Sequence, residues 1–382
     1  MSGRANRPAV IYLDNAATTW QKPPAVLAAL RQALGPYGGN PGRASHALSL
    51  AAAERIDETR TALAALLALP FPSHIVFTLN ATYALNMAIK GRVRRGDHIL
   101  ISDREHNAVY RPVCRLAAEG IADFDVFSAT GDVRSHLLTL LRDNTRMLIC
   151  NHISNVDGAR APLAEIGALC REHGIYFIVD ISQSAGHIPL SHATLGYPNA
   201  VCAPAHKGLF GIQGCGFAWF LDERDINPLC EGGSGSASRS PTMPREMPER
   251  LEAGTLPTPA ILALRAGVEF VARVTPAAIA AHEEKLADHL CARLSEVRGI
   301  RLYRPAGGGV LSFTCAGMSH DRLVAELDAE NVCVRGGLHC APLAHAAIGT
   351  EDTGTVRVSV SYMNTLREID RFADLLLSLA KQ

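Results

Sequence analysis

Between residues 74 and 220 the chain alternates short, almost unbroken apolar runs with longer stretches of helical period. The runs 74–78, 98–102, 123–127, 146–151, 176–180 and 217–220 predict strands. Residues 81–90, 109–119 and 163–173 predict helices, the last closed by Gly174. Strands apolar throughout, rather than in alternation, predict a mainly parallel sheet covered by helices on both faces. In such sheets ligands bind beyond the carboxyl ends of the strands. Asn80, Thr82, His106, Asn155, Asp180, Gln183 and Lys207 all fall at those ends.

The pattern changes at 231–258. Glycine and serine dominate its first residues, through Ala237 and Ser238, and prolines follow at 241, 244, 248, 257 and 259. This predicts a long surface segment. Helices are expected over 261–274 and 277–297. A smaller α+β unit should follow, with strands 310–314, 332–335 and 356–359 and helices 321–330 and 366–379. The expected division is an N-terminal segment 1–20 associated with the small domain, a large domain 21–260, and a small domain 261–382.

Composition narrows the function classes. Lys+Arg and Asp+Glu each number 37, giving zero formal charge, which argues against a general nucleic-acid or anionic-membrane binder. The longest apolar stretch, near 62–69, is too short to span a bilayer, and residues 1–8 are polar and basic with no apolar run behind them. Ten cysteines without a C-x-x-C pair read as reduced thiols of a cytoplasmic protein, most of them core residues.

Lysine is scarce: Lys22, Lys90, Lys207, Lys285 and Lys381 are the whole set, and arginine carries the remaining positive charge. A lysine before a glycine-rich turn, in Ala205-His206-Lys207-Gly208, suggests a task that needs an amine, such as a Schiff base. Asp180 ends an apolar strand 27 residues upstream. It reads either as a cap or ion pair, or as the partner of a protonated pyridine nitrogen; the lysine favours the second. Asn80-Ala81-Thr82 offers a helix N-terminus for a phosphate, or simply a good cap. His106 could stack on a flat ring, shuttle protons, or be an ordinary polar residue. Leu338-His339-Cys340 follows Arg335 and two glycines, a setting that suits a reactive thiolate. Zinc is the rival for His339, Cys340 and His345, but no second ligand pair has suitable spacing, so no metal is expected. Arg357 could clamp a carboxylate or form a surface ion pair. The glycines at 211, 214 and 216 lack the context of a dinucleotide fingerprint and are read as a turn.

Further motifs complete the picture: Tyr12-Leu13-Asp14-Asn15-Ala16-Ala17-Thr18-Thr19, Asn40-Pro41-Gly42-Arg43 with His46, Ser154-Asn155-Val156, Glu252-Ala253-Gly254-Thr255, and Asn364-Thr365 after Arg357. In this order, over nearly the whole length, the chain resembles the class V aminotransferase-fold enzymes that use pyridoxal 5′-phosphate, specifically the cysteine desulfurase and selenocysteine lyase group. The resemblance implies the α/β fold type I of such enzymes, with a mainly parallel seven-stranded sheet and a smaller C-terminal α+β domain. It implies that Lys207 forms the Schiff base with the cofactor and moves protons. Asp180 would pair with the pyridine nitrogen, Gln183 contact the ring oxygen, and His106 stack on the ring. Ala81, Thr82 and His206 would bind phosphate. Thr255 would complete that site in the other subunit of a homodimer. Asn155 and Arg357 would hold the amino-acid substrate, with Arg335, His46 and Asn15 alongside. Cys340 would take sulfur from L-cysteine as a persulfide, leaving alanine, and could pass it to an acceptor protein. Arg335 and nearby histidines should favour its thiolate.

Two positions depart from the family pattern. Pro204 stands where a hydroxyl residue is usual, so one phosphate contact should be lost or replaced. Leu338 stands where a polar residue is common, and the cysteine loop is short. The alternatives are therefore a selenocysteine lyase, another C–S lyase or epimerase on the same cofactor, or a degenerate sulfur carrier or scaffold. The intact Lys207 speaks against the last.

Overall fold

A computed structural model describes residues 9–42, 46–222, 226–236, 238–295, 297–305 and 307–379. Arg43, Ala237 and residues 1–8 lie outside the described residues. The chain divides into two units: residues 22–153 with 161–276, and residues 1–21 with 154–160 and 277–382.

The first described strand is β1 (Ile11–Tyr12), in the second of these units. The larger unit then holds β2 (Ile75–Thr78), β3 (Asp97–Ser102), β4 (Ala122–Phe127), β5 (Thr145–Asn151), β6 (Tyr176–Asp180), β7 (Ala200–Pro204) and β8 (Gly216–Phe220). These seven form one sheet, in the order β2-β8-β7-β6-β5-β3-β4. Only β8 runs against its neighbours, so the expected mainly parallel sheet is what forms. β6, β7 and β8 are buried at every residue, the burial that continuous apolar runs require. Its helices are α1 (Pro24–Ala33), α2 (Ala47–Leu66), α3 (Ala81–Arg92), α4 (Asn107–Ala118), α5 (Val133–Leu140), α6 (Leu163–Glu172) and α7 (Thr258–Val274). Gly174 closes α6 at φ +63°, while the Ile175 N–H donates to Cys170 O at 2.8 Å.

The smaller unit continues with α8 (Pro276–Ser295), β9 (Ile300–Tyr303), β10 (Val310–Cys315), α9 (His320–Ala329), β11 (Val332–Cys333), β12 (Arg335–Gly337), α10 (Pro342–Ile348), β13 (Thr355–Ser359) and α11 (Leu366–Leu379). An antiparallel sheet runs β12-β13-β10-β9, and β1 pairs in parallel with β11. Leu13, Phe313, Val358 and Phe372 are central to the core of this unit.

Three sequence expectations shift. The boundary near residue 260 moves to 276/277, because α7 packs on α1 and α2 of the larger unit. Residues 154–160 join the smaller unit: Ser312 Oγ donates to Val156 O at 2.6 Å, and Gly158, at φ +71°, comes so close to Val310 O that a Cβ would sit 2.7 Å from it. The single strand expected at 332–335 is two short ones, β11 and β12, that pair with different partners.

The long segment 231–258 is anchored rather than loose at its end. Glu252 is buried, accepts from Arg60 Nη2 at 2.7 Å and from Phe77 N at 2.6 Å, and so ties the segment to α2 and β2. Arg60 stands among the polar and charged neighbours Asp57, Glu58, Thr59 and Thr61, so the sequence gives no sign that its charge faces inward.

Candidate active site

In the larger unit the strand ends assemble as expected. β2, β3, β5, β6 and β7 share one direction, and Asn151, Asp180 and Cys202 lie level in neighbouring strands. Asp180 is 3% exposed; its Oδ1 accepts from Ser182 N at 2.8 Å. Burial pushes its pKa up, against the hydrogen bonds from Ser182 and the charge of Lys207. A buried carboxylate at a strand end suits a cationic ring nitrogen. Gln183 is buried beside it in sequence.

At the end of β2, Asn80 caps α3 by accepting the Tyr83 N–H at 2.9 Å. The first-turn N–H groups of Ala81 and Thr82 have no intrahelical acceptor, so the helix end can receive an anion. Gly216 allows this approach of chain segments, since a Cβ there would lie 2.7 Å from the Asn80 carbonyl carbon. Pro204 is the last residue of β7, beyond the last pairing with β6 at Cys202, so its missing N–H breaks no bond to that strand. Gly214, at φ +86°, sits in the turn that leads into β8.

His206 is half-buried, and burial lowers its pKa to about 4, helped by the charges of Lys207 and Lys22. It is therefore neutral near pH 7 and can donate or accept, but not pair as a cation. Lys22 Nζ donates to the His206 carbonyl at 3.2 Å, and burial lowers its pKa to about 8. Lys22 thus braces the segment just before Lys207, a contact that its position in the sequence does not suggest.

His106 caps α4: its Nδ1 accepts from Ala108 N at 3.0 Å, which leaves Nε2 to carry the proton in the neutral ring. Glu105, legible in the sequence only as a member of the motif Glu105-His106-Asn107 with no role of its own, is fully buried. Its Oε1 accepts from Ser102 Oγ at 2.5 Å and Asn151 N at 2.7 Å, while Oε2 has no hydrogen-bond partner among the described residues. Burial first, then the charge of Asp180, push its pKa up to about 8. Glu105 thus joins the ends of β3 and β5 just before the turn that carries His106.

The smaller unit gathers the other half of the expected residues. Arg335 and Arg357 face each other in register on β12 and β13. Arg335 Nη2 lies 3.7 Å from Cys340 Sγ, and Cys340 is exposed. His339 and Cys340 have φ of +50° and +58°, two successive non-glycine residues in the left-handed region. Such strain concentrates where chemistry fixes the backbone. Arg357 is 1% exposed; Nη2 donates to Asp14 Oδ1 at 2.6 Å and Nη1 to Asn155 O at 3.0 Å. The Asn155 amide N–H donates to His339 O at 2.8 Å, so Asn155 offers a buried acceptor, Oδ1.

Three expectations change in detail. His339 does not lend positive charge to the thiol: burial, then Arg357, His345 and Arg335, lower its pKa to about 2, and its Nε2 pairs with Thr355 Oγ1 at 3.0 Å. The Asn15 amide is committed to Ser359 O at 2.9 Å and Asn364 Oδ1 at 3.1 Å, bracing residues 12–15 against β13. His46 caps α2 by accepting from Ser49 N at 3.3 Å, in the larger unit. Among the described residues, no group of three His, Cys, Asp or Glu side chains is arranged to hold a metal, and no helix is long and apolar enough to cross a membrane. Elsewhere, burial pushes the Cys170 and Cys215 thiols up to about 12, as inert core groups require.

Comparison with known proteins agrees with this geometry. The profile of the aminotransferase class-V family matches residues 11–372. A protein named probable cysteine desulfurase from Methanothermobacter thermautotrophicus is 31% identical, over 97% of this chain and 94% of its own. One of the same name from Xylella fastidiosa is 34% identical, over 97% and 91%. The apo structure of a cysteine desulfurase from Thermococcus onnurineus superposes with a TM-score of 0.88 at 28% identity, covering 97% of this chain and 95% of that one. The chain belongs to the aminotransferase class-V family, among relatives named cysteine desulfurases.

Proposed function

We propose that this protein is a cysteine desulfurase that uses pyridoxal 5′-phosphate, converts L-cysteine to alanine, and carries the sulfur as a persulfide on Cys340. The observation that carries the reading is the exposed Cys340 thiol beside Arg335, on a strained loop, in the unit that also holds Arg357. Relatives named for this activity over nearly the full chain support it.

The residues fit the cofactor. Asp180 offers a buried carboxylate to its ring nitrogen, the α3 N-terminus and His206 offer donors to its phosphate, and Lys207 offers the amine. Bound there, the cofactor would supply an electron sink for the carbanion at the substrate Cα. Lys207 Nζ would take the Cα proton. His106, held by its cap bond, would stack on the ring. Arg357 would hold the substrate carboxylate. Cys340 Sγ would attack the substrate sulfur: an S–S bond forms, the Cβ–S bond breaks, and its electron pair stays on Cβ, which is then protonated to give alanine. Arg335 would steady the attacking thiolate by its charge.

The active form is a homodimer in which Thr255 completes the partner's phosphate site. The exposure of Thr255 and the anchoring of its segment by Glu252 support this. All ten cysteines are free, which suits a reducing cytoplasm and a protein acceptor for the sulfur.

The test is product analysis by mass spectrometry with cofactor-loaded protein, a thiol reductant, and cysteine, selenocysteine or cysteine conjugates. Alanine and sulfide from cysteine in equal amounts are expected. Cys340→Ala should abolish desulfuration, and Lys207→Ala should remove both turnover and borohydride fixation of cofactor. Full activity towards cysteine in Cys340→Ala would overturn the reading and favour a C–S lyase.

A further inference from the structure

Arg357, the expected ligand of the substrate carboxylate, already has a carboxylate. Asp14 Oδ1 accepts from Arg357 Nη2 at 2.6 Å. The guanidinium is 1% exposed, whereas the Asp14 side chain is 20% exposed, so solvent reaches this ion pair through its acid. Backbone pairing fixes the arrangement. Asp14 bridges to Ser359, the Ser359 N–H donates to Leu13 O at 2.7 Å, and the Ala17 N–H donates to Asp14 O at 3.1 Å. The rest of Arg357 is also committed or enclosed: Nη1 donates to Asn155 O, and Nε is buried without a hydrogen-bond partner among the described residues. An incoming carboxylate therefore reaches Nη2 only by sharing or taking the place of Asp14. Arg335 lies opposite Arg357 in the ladder and beside Cys340. With Arg335 facing the Cys340 sulfur, Arg357 and Asp14 form a neutral pair, and a substrate carboxylate at Arg357 must contend with Asp14 for it.

We infer that Asp14 is an internal counter-carboxylate that competes with the substrate's carboxylate for Arg357, holding carboxylate affinity low enough for alanine to leave. This rests on the desulfurase reading for its purpose, but not for its electrostatics. Product alanine keeps the carboxylate of cysteine, so an unopposed Arg357–Arg335 pair would retain the product as firmly as it gathers the substrate. Asp14 returns to Arg357 as alanine departs, so the buried guanidinium is never left without a partner. It is a positioning and affinity-setting residue, not a reacting one.

The test uses the full-length protein and Asp14→Asn, with Asp321→Asn, 90% exposed on α9, as a surface-charge control. The first arm needs no turnover. Alkylation of Cys340 by iodoacetate and by iodoacetamide is followed by mass spectrometry of its peptide. The ratio of the two rates should rise about three- to tenfold in Asp14→Asn, since one nearby negative charge is gone, and stay constant in the control. The second arm is turnover: the alanine inhibition constant and the KM for cysteine should fall together, with kcat falling as product release slows. An unchanged alkylation ratio would sink the inference, as would a raised KM with alanine inhibition unaltered, which would make Asp14 a mere prop for Arg357. Should Asp14→Asn fail to fold, Asp14→Ser takes its place, and failure of both neutral variants would show a structural requirement and end the proposal. Wild-type protein inactive towards cysteine would remove the functional reading, while the alkylation arm still decides the electrostatics.

Discussion

Single residues here are understood from which polar atoms burial leaves matched. Lys207 was legible because amines are scarce in this chain, and Asp180 because a carboxylate ends an apolar run. Glu105 is legible only as a motif residue: a glutamate before a helix start looks like any solvated residue, and only the sheet shows it enclosed between Ser102 and Asn151. Its pKa, raised by burial to about 8, has a consequence for stability. Between the ordinary carboxylate value and about pH 8, the unfolded chain has lost this proton while the folded protein keeps it. Folding therefore takes up a proton, and stability falls as pH rises through that window, by up to about 1.4 kcal/mol per pH unit. Glu105→Gln imitates the protonated form and should flatten this dependence. Thermal unfolding of both proteins at pH 5.5 and pH 8 measures it, and parallel pH profiles would contradict the assignment. His339 teaches the converse. Sequence proximity to Cys340 suggested a helpful cation, yet enclosure beside two guanidiniums keeps the ring neutral.

At the scale of elements, the strands of the larger unit were legible because burial on both faces writes itself as unbroken apolar runs. Their ends, where the chain turns towards ligand, were legible for the same reason. The limits of β7 and the helices α1, α2 and α5 do not stand out in the sequence. In α2 alanine, charge and leucine mix without a clean stripe, so the helix is fixed by packing against α7 rather than by its own pattern. The cysteine loop is the element that departs most from local preference. Its left-handed residues cost about 1–2 kcal/mol each relative to glycine in the same conformation. Cys340→Gly should accordingly be at least as stable as Cys340→Ala, reversing the usual disadvantage of glycine. Denaturant unfolding of the two inactive variants decides it; a clearly less stable glycine variant would mean that the loop carries no such strain.

At the scale of the whole molecule, the dimer proposal gives Thr255 a defined task. Removing one hydrogen bond to a charged phosphate costs about 1.5–3 kcal/mol, so Thr255→Val should weaken cofactor retention about ten- to a hundredfold without altering the fold. Dialysis against competing amine with absorbance readout measures the loss, and sedimentation tests for the dimer; unaltered retention would remove Thr255 from the site. What the sequence determined by itself is the set of chemical groups and their order along the chain: one favoured amine, a strand-end acid, a helix cap for phosphate, and a thiol following glycines and an arginine. Those properties survive in one dimension because they depend on residue type and immediate neighbours. Tertiary structure alone decided which groups carry charge and which are already taken. Arg357 is held by Asp14 from 343 residues away in the chain, Val156 is held by Ser312 within the smaller unit, and Glu252 is buried against Arg60. The physical reason is that desolvation and partner choice belong to the folded surroundings of an atom, which residue type and spacing do not encode.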